Sequence, residues 1–109
     1  SSALNIACRI LEHIGFQVKT AVDGRAAVAM FPNLTDLRFV FLDLTMPHMD
    51  GPETFRELRR LNPDTRFLIM SGFSEQDVAT RFGSEPFVDF IEKPFNLIQV
   101  RDKLRRLLG

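Results

Sequence analysis

The chain has 109 residues, 45% of them hydrophobic, which is enough for one core and too short for two domains. Fourteen basic and fourteen acidic residues cancel, so no broad field draws nucleic acid or an anionic membrane surface. The single cysteine, Cys8, excludes an internal disulfide, and no apolar run has the length of a membrane span or the pattern of a secretory signal, which points to the cytoplasm.

In chain order, Leu4, Ala7, Leu11 and Ile14 recur at helical spacing and Gly15 follows as a stop, so the chain is expected to begin on a helix. FQVKTA alternates apolar with polar from Phe16 to Val18, the pattern of a half-buried or edge strand. Asp23 and Gly24 turn the chain into a short helix through Ala26, Val28 and Phe31, ended by Pro32 and Asn33. A strand ending at Leu42 comes next, then a loop containing Pro47. Asp50 with Glu53 has the spacing of a capping box, and Pro52 sits in the first turn, where its missing N–H costs nothing.

Phe55, Leu58 and Leu61 give this third helix its core stripe, and Asn62, Pro63 and Asp64 break it before the strand Phe67 to Met70. Ser74 with Asp77 marks a fourth helix carrying Val78, Ala79 and Phe82, which the stretch from Gly83 to Pro86 ends. FVDFI is the next strand. Asn96 with Gln99 then caps a last helix whose apolar face is Leu97, Val100, Leu104 and Leu107, with Arg105 and Arg106 complementing the dipole at its end. FVFL and FLIM are apolar on both faces, as central parallel strands covered by helices must be. The expected fold is therefore a doubly wound, three-layer α/β domain. The eleven phenylalanines, without Trp or Tyr, suit core packing better than base recognition.

Three apolar runs stop at polar residues: FVFL before Asp43, FLIM before Ser71, and FVDFI with Glu92 before Lys93. In an open parallel sheet, ligands bind outside the carboxyl ends of the strands. A carboxylate, a hydroxyl and an ammonium converging there supply a nucleophile, a hydrogen-bond partner and a cation, the set required to move a phosphoryl group onto an aspartate.

FVFLDLTMPHMDG, then MSGF, then EKPF, in that order and at these separations, resemble the receiver domain of bacterial response regulators, from Leu4 to the end of the chain. Any one of these motifs is common; the three together, each at a strand end, are specific. SGFSEQDVATRF followed by EKPF further resembles receivers attached to hybrid sensor histidine kinases. The resemblance implies a five-stranded flavodoxin-like sheet whose first strand is absent here, so residues 1–109 are expected to be one receiver domain shortened at its N-terminus. Without that strand, its two neighbours would lie roughly 10 Å apart, twice the usual spacing, with unpaired backbone groups between them.

By the same resemblance, Asp43 is the phosphoacceptor and Lys93, followed by Pro94 in a peptide bond often cis in the family, pairs with it and then with the phosphoryl oxygens. Ser71 donates its hydroxyl to a phosphoryl oxygen, although a local turn bond beside Gly72 explains a serine there equally well. Thr45 offers a backbone carbonyl to magnesium beside Asp43. Phe90 stands where the family has a switch aromatic, and an ordinary core role accounts for it as readily. Asp50 and Gly51 are assigned to the cap and the turn. His13 and His48 have no partners at ligand spacing and are expected at the surface.

The chain departs from the family at the acidic pair that holds magnesium, which nothing here matches; Glu12 and Asp23 lie in the first helix and beyond the next strand. Magnesium is thus expected in the intact domain and weak or absent in this chain. The sequence reads as a phosphoacceptor signalling domain taking a phosphoryl group from a histidine kinase or phosphotransfer protein, with no nucleic-acid partner and no membrane insertion. A homodimer stays open, as does the status of the domain as an enzyme. The alternative is a receiver-like interaction module independent of phosphorylation. A haloacid-dehalogenase-like phosphatase would need a second aspartate where Thr45 stands.

Overall fold

Every residue of strand β2 (Phe67–Ser71) is buried, and its alternating side chains define two cores. The computed structural model describes residues 2–44, 51–83 and 85–109. Leu68 and Met70 point to one side, where they pack with Ala7 and Leu11 of α1 (Ser2–Ile14) and with Val100 and Leu104 of α5 (Leu97–Leu108). Phe67 and Ile69 point to the other, against Phe55 and Leu58 of α3 (Gly51–Leu61) and Val78 of α4 (Glu75–Phe82). Val28 of α2 (Gly24–Met30) and Phe31 of the 3-10 turn Phe31–Asn33 extend this second core. A period of two along one strand therefore produces three layers.

β1 (Val40–Asp43) and β3 (Val88–Glu92) flank β2 in parallel, giving the order β1-β2-β3 among the described residues. Asp43 lies beside Met70, and Ser71 beside Glu92. α3 and α4 are the crossovers between them. The architecture is the flavodoxin-like, doubly wound fold expected.

Local signals in the sequence form as local structure. Gly15, at φ 124°, ends α1 with a Schellman arrangement: Phe16 N–H donates to the Leu11 carbonyl at 3.0 Å and Gly15 N–H to that of Glu12 at 3.1 Å. Asp23 caps α2 through the Ala26 N–H at 2.8 Å, and Ser74 caps α4 through that of Asp77 at 3.2 Å. Asn96 and Gln99 complete their capping box at 2.9 Å in each direction. Asp50 lies outside the described residues.

One expectation needs correction. Phe16 to Val18 form no strand; residues 16–21 have no regular structure, although Phe16 and Val18 pack onto the α1/α5 core and the Phe16 ring meets that of Phe39 edge-on at 5.0 Å. The side chains obey the apolar alternation, but a strand also needs a ladder partner for its N–H and C=O groups. None of the three strands among the described residues pairs with this segment, so three strands are described where four were expected.

Candidate functional site

All three strands run the same way, so their carboxyl ends meet at one edge of the sheet. Two backbone bonds extend the ladder past the strand ends: Leu44 N–H donates to the Met70 carbonyl at 3.1 Å, and Lys93 N–H to that of Ser71 at 2.8 Å. The second bond fixes where the Lys93 side chain starts. Its ammonium reaches across the end of β2 to Asp43, with Nζ 2.9 Å from Oδ1 and 3.0 Å from Oδ2. Fifty positions separate these residues in the chain, and the topology brings them together.

Asp43 is 6% exposed. A carboxylate taken that far from water requires a compensating charge, and Lys93, whose side chain keeps 22% of its exposure, provides it while remaining open to solvent. The Lys93–Pro94 peptide bond is cis, as the EKPF resemblance implied.

Ser71 is buried beside the pair, and its Oγ accepts the Phe73 N–H at 2.9 Å. This is the local turn bond that competed with a role in phosphoryl binding, and it sets where the hydroxyl rests. Phe73 itself is 56% exposed, with the Arg81 guanidinium 5.2 Å from its ring centroid.

Gly51 begins α3 against the chain leaving β1: a Cβ there would lie 2.5 Å from the Leu44 Cα. Only glycine permits that approach, which agrees with the structural role expected of it. Phe90, partly buried on β3, belongs to the α3/α4 core and meets Phe82 with ring centroids 5.7 Å apart; Phe82 in turn meets Phe55 at 5.1 Å, and Phe55 meets Phe67 at 4.7 Å. Thr45 and His48 lie outside the described residues. His13 is exposed on α1.

Among the described residues, no group of three or more His, Cys, Asp or Glu side chains converges to hold a metal ion. Both Asp43 oxygens accept from the Lys93 ammonium, and magnesium demands near-octahedral oxygen coordination. Glu12 is exposed on α1, and the Asp23 carboxylate is engaged in capping α2.

Sequence reasoning missed a charged cluster on the flank of β3. Lys103 of α5 pairs with Glu75 of α4 and stands 3.6 Å from Asp89 of β3, and Arg106 reaches the same aspartate at 3.2 Å. The signal was Asp89 itself, a carboxylate inside the apolar run FVDFI that needs a cation nearby.

A three-layer α/β domain with a buried, lysine-paired aspartate at the carboxyl edge of its sheet is the class that fold and site define. The family model for the response regulator receiver domain matches residues 1–105, and the chain belongs to that family. It is a phosphoacceptor signalling domain of the two-component type. It is 34% identical over 101 residues to the sensor kinase CckA of Brucella abortus, covering 92% of this chain and 11% of that protein. Against the chemotaxis protein CheY of Thermotoga maritima it is 28% identical over 99 residues, covering 90% of this chain and 82% of the relative. The crystal structure of the NtrX receiver domain from Brucella abortus superposes with a TM-score of 0.84 at 27% identity, over 95% of this chain and 88% of the other. Receiver domains generally depend on magnesium and work with histidine kinases or phosphotransfer proteins. No helix among the described residues is long and apolar enough to cross a membrane.

Proposed function

We propose that Asp43 is the phosphoacceptor, and that residues 1–109 act as one receiver unit taking its phosphoryl group from a phosphohistidine on a histidine kinase or phosphotransfer protein. The observation that carries this reading is the Lys93 ammonium within 3.0 Å of both oxygens of a buried strand-end carboxylate. One Asp43 oxygen attacks phosphorus, the N–P bond to the donor imidazole breaks, and an acyl phosphate forms. Lys93 then faces phosphoryl oxygens where it faced the carboxylate, stabilising charge as it develops. The Ser71 hydroxyl turns from the Phe73 N–H toward a phosphoryl oxygen, and Phe90 follows the loop inward.

The match to a segment of a sensor kinase favours a hybrid kinase as the parent protein, with the domain in the cytoplasm. The single-carboxylate site makes magnesium binding by this chain weak, and Thr45 would offer its carbonyl there. The Ser71 Oγ held by the Phe73 N–H suits a second reading, an interaction module that keeps the fold without turning over. Labelling with a radioactive small-molecule phosphodonor separates the two. With the family's first strand and acidic pair supplied ahead of residue 1, wild type is expected to take label and Asp43→Asn to take none. Undiminished labelling of the variant overturns Asp43 as the acceptor, and an inert wild type leaves the interaction module.

A further inference from the structure

α4 buries only Val78 among its eight residues, so apolar packing holds it weakly and polar contacts carry a large share of its attachment. At its C-terminal end Phe82 leans on Phe55 and Phe90. At its first turn the attachment is Lys103, whose side chain is 17% exposed, paired with Glu75 and facing Asp89 on β3. Glu75 is the first residue of α4, four positions beyond Ser71. The connector between them is tied at both ends, by the Phe73 N–H on Ser71 Oγ and by the Ser74 cap on Asp77. Movement of the Ser71 hydroxyl is thereby transmitted to Glu75 through a short segment with little slack.

We propose that Lys103 is an intramolecular latch: its ammonium, placed between Glu75 and Asp89, pins the start of α4 to β3 and α5 and sets how readily α4 yields when Ser71 moves. Arg106 is the internal control, because it pairs with Asp89 and, among the described residues, makes no ion pair with α4. In Lys103→Met the volume is roughly kept while Glu75 loses its ion pair and Asp89 keeps Arg106. The consequence for signalling rests on Asp43 being the phosphoacceptor; the mechanical part does not.

The test is amide hydrogen exchange of residues 75–82 in the whole chain, with α3 as internal reference, for Lys103→Met, Glu75→Gln and Arg106→Ala. The first two are expected to exchange about two- to fivefold faster through α4 and unchanged in α3, the range set by one partly exposed ion pair; Arg106→Ala leaves α4 at its wild-type rate. Unchanged exchange in Lys103→Met, or an equal rise in Arg106→Ala, overturns the latch. Phosphodonor labelling of Lys103→Met is expected to run faster than wild type by a similar factor. An unchanged rate with α4 loosened overturns the coupling to the site. A wild type that takes no label counts against the phosphoacceptor reading alone, since the exchange comparison still decides whether the latch exists.

Discussion

The two flanks of the sheet are held by different means. On the side of β3, the backbone ladder to β2 is complete from Phe67 to Ser71, α4 and α5 cover the strand, and Lys103 and Arg106 bind across it. On the side of β1, residues 16–21 bring apolar side chains to the core and no ladder. Burial of side chains and pairing of backbone are thus separable. The first depends only on a residue's own chemistry, whereas the second requires a partner at a fixed distance and register.

The sharpest way to expose that difference is hydrogen exchange. Amides of β2 are expected to open only with the whole fold, and those of residues 17–21 to exchange at least a thousandfold faster, since a fold stable by about 5 kcal/mol protects its core by that order. Equal protection of the two segments would mean that residues 16–21 pair in solution after all.

A smaller effect compares apolar anchors. Phe55 is buried between the rings of Phe67 and Phe82, so Phe55→Ala is expected to lower stability in urea by about 3–4 kcal/mol. Phe16 is partly exposed and meets one ring; Phe16→Ala should cost less than half as much. A larger loss from Phe16 would make the β1 flank a full part of the core.

The least effect is expected at Cys8. Burial, and then the neighbouring Glu12 carboxylate, push its thiol above the ordinary value. Less thiolate is present at a given pH, so alkylation at pH 8 should run slower than for a free cysteine peptide and gain with rising pH. A rate equal to the free peptide would mean that α1 is less well seated than its packing indicates.

What was legible in the sequence divides along the same line. The caps at Ser74 and Asn96, the turn at Asp23 and the stop at Gly15 involve residues within a few positions of each other, and the helix starts and stops there followed. Asp43, Ser71 and Lys93 stood out because a parallel sheet sends every strand end to one edge, and the Asp43–Lys93 pair forms there. FQVKTA was misread because alternation records which side chains are buried and says nothing of the strand alongside. The partnership of Glu75 and Lys103, 28 positions apart on two helices, depends on how those helices sit, and neither residue's neighbours in the chain hint at it.

The row of rings from Phe67 through Phe55 and Phe82 to Phe90 is built in a chain with no tryptophan or tyrosine. Such a protein is nearly silent in near-ultraviolet fluorescence. Phe82 is the ring of α4, between one from α3 and one from β3, so a single Phe82→Trp substitution would report on the packing of that helix without any competing signal. Wavelength and anisotropy of that one fluorophore would turn a shift of α4 into an optical measurement on a protein that otherwise offers none.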